Sequence, residues 1–160
     1  MSASEGLQVV WFKRDLRLED HAPLAAAANA RPTLLLYVFE PELINDPHYS
    51  ERHWRFVTQS LLEMNSRLEP LNQRVYILKG SMLEVLAAIH AHHPISNLLS
   101  YEETGLRVTY ERDKAISAWC RKHHVKWQEY RSNGVKRGRY SRDGWAHDWH
   151  RVMSQPLAEP

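Results

Sequence analysis

The chain has 160 residues, enough for one domain with a substantial core and too few for two. Apolar residues make up 43% and charged residues 25%, which excludes a disordered tail, while a net charge of +2 assigns no class of partner by itself. A single cysteine, Cys120, excludes an internal disulfide framework. With no charged-then-apolar leader and no apolar run long enough to span a bilayer, the chain reads as a soluble cytoplasmic protein with no membrane partner.

Five short apolar runs read as strands: "LQVVWF" (7–12), "TLLLYVF" (33–39), "RVYILK" (74–79), "SNLLSY" (96–101) and "VKWQEY" (125–130). The second and third are near-continuous, the pattern of strands covered on both faces. Between them lie helical patterns. Leu24 to Asn29 is alanine-rich, with Pro23 near its first turn. From Ser50, Trp54, Val57, Leu61, Met64 and Leu68 step by three and four along one face of a long helix that Pro70 closes. "SMLE" (81–84) reads as a capping box opening a third helix, which runs to Pro94. A fourth, from about Thr109 to His124, is expected to bury Ala115, Ile116, Trp119 and Cys120. The alternation implies a parallel sheet with crossover helices, because parallel neighbours cannot be joined by tight turns. The last stretch breaks this rhythm. It carries Arg131, Lys136, Arg137, Arg139 and Arg142 without an acid, then a short helix with Trp145, Trp149 and Val152 on one face.

In such a sheet, ligands gather beyond the carboxyl ends of the strands, where the strand order reverses. Three segments are expected there: 13–21, "EPEL" (40–43) and "EETG" (102–105). No glycine-rich phosphate cradle follows any strand, which argues against a P-loop and against a standard dinucleotide fold. The first segment is unusual. Six charges, three of each sign, fall in the eight residues from Lys13 to Asp20. Either they form a fixed network framing a pocket or facing another surface, or Asp20 caps the next helix and the rest are solvated. His147 and His150, and His90, His92 and His93, lack the spacing of a zinc site, so no metal is expected. No catalytic constellation stands out, and Cys120 reads as a packed thiol.

"VVWFKRDLRLEDHAPLAAA" resembles the amino-terminal signature of the photolyase and cryptochrome family, W-F-R-R-D-L-R-L-x-D-N-x-A-L. Lys13 stands for its first arginine and His21 for its asparagine. "VFEPEL", "ERHWRFVTQSLLEMNSRL", "RVYILKGSMLEVL" and the Arg112-Asp113 pair are similar to later family passages, in the same order. The resemblance covers roughly residues 7–131. It implies a Rossmann-like or flavodoxin-like five-stranded parallel sheet, order 3-2-1-4-5, with helices on both faces. It further implies that residues 132–160 begin the linker to an FAD-binding helical domain absent from this chain.

What the resemblance implies for the whole protein is a deoxyribodipyrimidine photolyase: light excites reduced FAD, which donates an electron to a pyrimidine dimer in damaged DNA. The alternatives are a cryptochrome-type blue-light photoreceptor without repair, or a free-standing nucleotide-binding signalling module. The isolated domain is expected to be inactive, with no catalytic residue of its own. Its partner would be the carboxy-terminal FAD domain of the same polypeptide. It could hold an antenna chromophore, a deazaflavin or FMN, lined by Glu40, Arg52, Glu102, Glu103 and Thr104, with Arg52 as the chief partner of an anionic dye. Val108 and Thr109 stand where folate-binding members carry an Asn-Glu pair, which argues against folate. Arg14, Asp15, Arg17 and Asp20 are expected to lock the first loop and to help seat the missing domain.

Overall fold

The structure, a computed structural model, describes residues 6–135, 137 and 141–160. Numbered in chain order, the strands are β1 (Leu7–Phe12), β2 (Thr33–Phe39), β3 (Val75–Lys79), β4 (Ile95–Tyr101) and β5 (Lys126–Tyr130). They form one parallel sheet in the order 3-2-1-4-5. The helices are α1 (Ala22–Ala27), α2 (Pro41–Ile44), α3 (Glu51–Leu68), α4 (Met82–His92), α5 (Arg107–Lys122) and α6 (Trp145–Met153). None of them is long and apolar enough to cross a membrane.

Central β1 explains the two-sided core. Successive strand side chains point to opposite faces, so Val9 and Trp11 pack with Leu36, Leu86 and Ile116 beneath α4 and α5. Val10 and Phe12 pack with Tyr37, Val57 and Leu61 beneath α1 and α3. Because the order reverses at β1, the chain leaves β1 and β4 toward opposite faces, and a crevice opens between their carboxyl ends.

Several expectations need correction. The apolar run of β2 is covered on both faces, but that of β3 is not: Tyr76, Ile77 and Leu78 are exposed. β3 is an edge strand with a neighbour on one side only. Ser81 starts α4 as expected, yet its hydroxyl makes no capping bond. Asp20 does not cap α1; His21 does, its Nδ1 accepting from the Leu24 N–H at 3.1 Å. On α5, Ile116 and Cys120 are buried and Trp119 half-buried, but Ala115 is exposed.

Candidate functional site

The charges after β1 are partnered one by one. Asp15 is buried; its Oδ1 accepts from the Lys13 N–H at 2.9 Å, and its Oδ2 lies 2.5 Å from His21 Nε2. With Nδ1 already accepting from Leu24, the His21 ring carries its proton on Nε2 and donates to Asp15. Arg17 Nε donates to the Asp20 carbonyl at 3.0 Å, and its guanidinium lies over the Tyr101 ring. Asp20 adopts a left-handed backbone, φ 47°, and its Oδ1 accepts from the Ala158 N–H at 2.9 Å. The His21 N–H in turn donates to the Ala158 carbonyl at 2.9 Å. These bonds tie the first loop to β4 and to the chain's last residues.

Beneath the loop lies a buried network centred on a residue that the sequence reading noted only as part of a family pair. Arg112, on the second turn of α5, reaches Glu40 at 2.7 Å, Asp113 at 2.9 Å and Glu103 at 3.1 Å. Its guanidinium lies 4.7 Å from the centre of the Trp11 ring. Burial disfavours its charge, but Glu40, Asp113 and Glu103 together hold its pKa above the usual arginine value. Burial pushes the Glu40 carboxyl up, against the pull of Arg112. Lys13 lies alongside, its Nζ donating to the Tyr101 carbonyl at 2.9 Å and sitting 4.2 Å above Trp11. Burial lowers the Lys13 pKa, with Asp113 opposing. The three loops expected at the strand ends therefore do meet. A signal for this was present: Asp113 falls in the apolar register of Thr109, Ile116 and Cys120, and a carboxylate on a buried helix face requires a cationic partner.

Above the network, the ion pair of Arg14 Nε with Glu103 Oε1, 2.8 Å, stands between two hollows. One, about 120 Å³, is walled by Trp11, Tyr37, Tyr49, His53, Trp54 and Val57. The other, about 250 Å³, is polar and lined by Arg17, Tyr101, Glu102, Thr104, Ser132 and Asn133 among others. Glu40 borders the aromatic hollow, Glu102 and Thr104 the polar one, and Glu103 both. Arg52 borders neither: it is exposed on the first turn of α3, and its neighbour His53 takes the place at the wall.

The aromatic hollow is electrically quiet. Burial, and then Arg14, hold His53 below the usual histidine value, so it is neutral at pH 7. Burial also pushes the Tyr37 hydroxyl up, keeping it protonated. Both carboxylates at its edge, Glu40 and Glu103, are already paired with Arg112. One donor is unused: Trp54 Nε1 is buried without an acceptor. The arrangement suits a planar, largely apolar ring, with Arg14 at its edge for an anionic group.

Of the basic segment, Arg137 folds back onto acids, reaching the Glu103 carbonyl at 2.7 Å and Glu129 at 3.2 Å. Arg131 and Arg142 are exposed, and Lys136 and Arg139 lie outside the described residues. Among the described residues no group of three or more His, Cys, Asp or Glu side chains is placed to hold a metal ion. Cys120 is buried, which pushes its thiol up to about 11 and keeps it unreactive.

Cryptochrome-2 of Gallus gallus is 30% identical over 109 residues, spanning 68% of this chain and 19% of the relative; cryptochrome-1 of Mus musculus is 28% identical over the same length. The chain thus spans less than a fifth of the length of these curated relatives. In fold it is similar to an archaeal photolyase from Sulfolobus tokodaii, described with two FAD molecules and the implication of a novel light-harvesting cofactor. That match has a TM-score of 0.75 at 22% identity and covers 94% of this chain and 35% of the other. A class III photolyase from Agrobacterium tumefaciens gives 0.74 at 21% identity, covering 90% and 30%. The family model for DNA photolyase matches residues 8–136, so this chain, with its 3-2-1-4-5 sheet, belongs to the DNA photolyase family.

Proposed function

We propose that this chain is the amino-terminal α/β part of a photolyase-like flavoprotein, and that the hollow walled by Tyr37, Tyr49, His53 and Trp54 holds a flavin-class antenna chromophore. The single observation that carries the reading is a cluster of aromatic walls with a guanidinium at its rim, over the carboxyl ends of β1 and β2 beside the strand-order switch. FMN, FAD and a deazaflavin share the required planar ring. The Sulfolobus tokodaii photolyase, with its two FAD molecules, lends the class support. Folate is not proposed, because Val108 and Thr109 stand in place of the Asn-Glu pair of folate-binding members.

A dye in this position would absorb light and pass excitation energy to the FAD of the helical part. What the chain's own residues do is hold, orient and exclude water. At about 120 Å³ the aromatic hollow is smaller than the roughly 300–1,000 Å³ of typical ligand pockets. The Arg14 side chain is 53% exposed and lines both hollows, so in this reading its outward rotation would join them. Arg112 stays fixed beneath, its three carboxylate partners keeping their charge off the ligand.

For the whole protein we propose light-driven splitting of pyrimidine dimers, with damaged DNA as partner. A second reading, a cryptochrome-type photoreceptor, is favoured by the curated cryptochrome relatives. Illuminating the full-length protein with dimer-containing DNA separates them: loss of dimers under blue light supports repair, and intact dimers support the photoreceptor. For the domain, purified chain mixed with FMN or a deazaflavin should give a shifted absorbance band; an unshifted band at saturating dye contradicts the antenna reading.

A further inference from the structure

We propose that the outer edge of β3 is a docking site for an extended segment of a partner protein, a short apolar run flanked by acids, which adds a further strand to the sheet. The observation lies in the backbone. Val75 turns its N–H and carbonyl away from β2, and the Asn65 side chain satisfies both, its Oδ1 accepting at 2.7 Å and its Nδ2 donating at 3.2 Å. Gly80 turns the other way, its N–H donating to the Phe39 carbonyl on β2 at 3.0 Å. Alternate residues of a strand present their polar groups to the same edge, so Ile77 and Lys79 point outward as Val75 does. β3 pairs only with β2, in unbroken register from Val75 to Lys79. Asn65 therefore closes the start of this edge, and the edge at Ile77 and Lys79 stays open.

Folded proteins commonly spoil such an edge with a charge, a proline or a bulge. The opposite edge of this sheet does so: β5 sets Lys126, Gln128 and Glu129 within the strand. β3 has no such device between its ends. Its middle is Tyr76, Ile77 and Leu78, which are 47, 40 and 41% exposed. Ile77 falls on the α3 side of the sheet with Val75, and Tyr76 and Leu78 fall on the other. An added strand thus meets apolar side chains on both faces. Charge decides which strand fits. Arg74 precedes the run and Lys79 ends it; both are exposed, and neither forms an ion pair among the described residues. A second copy of the chain fits poorly. Antiparallel pairing of two β3 edges sets the Arg74 end of one against the Lys79 end of the other, and parallel pairing stacks like on like. An acid at each end of an incoming segment meets both cations, while main-chain bonds and the apolar middle supply the rest.

The test uses the 15N-labelled 160-residue chain and the end-blocked peptide Asp-Glu-Val-Ile-Val-Glu-Asp, which reads the same in both directions. Binding is followed residue by residue through amide hydrogen exchange. The expected result is saturable binding that slows exchange at Ile77 and Lys79 by about tenfold or more, with Tyr76 and Leu78, already bonded to β2, unchanged. The same peptide with lysine in place of every acid should not bind. Ile77→Pro removes an outward N–H that β2 does not use, so the sheet stays folded and the peptide is lost. Lys79→Glu leaves the backbone untouched and should weaken binding of the acidic peptide about tenfold. No saturable binding up to about 1 mM peptide, or slowed exchange at Tyr76 and Leu78 in place of Ile77 and Lys79, overturns the proposal. Equal binding of the acidic and basic peptides overturns it too. So does concentration-dependent pairing of the chain that Ile77→Pro abolishes in sedimentation, which makes a second copy the occupant.

Discussion

Two sets of charges share the carboxyl end of the sheet and behave oppositely. Lys13 and Arg112 lie over the Trp11 ring, and Glu40 and Asp113 pair with them out of the water; Arg14, Arg17 and Arg137 stand at the rim, half in solvent. For the buried set, loss of the central cation Arg112 leaves Glu40 charged in a poor solvent, a penalty of several kcal/mol. The rim set is screened, and each pair is worth about 0–1 kcal/mol. The same residue types therefore serve as foundation below and as adjustable edge above. An edge that costs little to break can open to admit a ligand.

The sharpest way to break this contrast is Arg112→Leu. It strands Glu40 and takes one of the cationic partners from Glu103 and Asp113, and urea unfolding should show a loss of about 3–5 kcal/mol; a loss below about 1 kcal/mol would place Arg112 with the rim. Next is His21. Replacement by leucine removes both the cap of α1 and the donor to Asp15, costing about 2–4 kcal/mol. His21→Asn, which can accept from Leu24 and donate to Asp15, should recover most of that. Equal losses in the two variants would contradict the tautomer assigned here.

Rim variants should move binding instead of stability. Arg14→Ala should change unfolding free energy by less than about 1 kcal/mol. It should also reduce the preference for FMN over riboflavin several-fold, because the guanidinium is the phosphate partner. An unchanged preference would assign the phosphate elsewhere.

The smallest effect concerns Glu40. Burial raises its folded pKa above the unfolded value, so its contribution to stability is fully present below the unfolded pKa and is lost as pH rises through the folded one. Glu40→Gln resembles the protonated form and escapes that loss. The melting point of the variant relative to the unaltered chain should rise with pH, starting just above the normal glutamate range. A difference that falls with pH would mean that Arg112 outweighs burial.

How much of this was legible depends on what a linear pattern records. The strands, their parallel pairing and the meeting of the three loops follow from alternation of elements and from the switch-point rule. Arg52 shows where finer phase matters. At about 100° per residue, His53 lies on the same side of α3 as Val57 and Leu61, while Arg52 points away. A helical wheel already separates them. The β3 run was misread for another reason: hydrophobicity reports a residue's own affinity for a core, not whether a neighbour stands on the far side. The reach of Arg112 to Glu40, across 72 positions of sequence, left only the misplaced-looking Asp113 as a clue. The bond between Asp20 and Ala158 left none.

The central claim, that the aromatic hollow is a flavin-class site, is tested most directly by equilibrium dialysis of the chain against FMN. The account predicts saturable binding at one molecule per chain, abolished in Leu43→Trp, which fills the hollow. Absence of saturable binding, or binding that Leu43→Trp leaves intact, would contradict it.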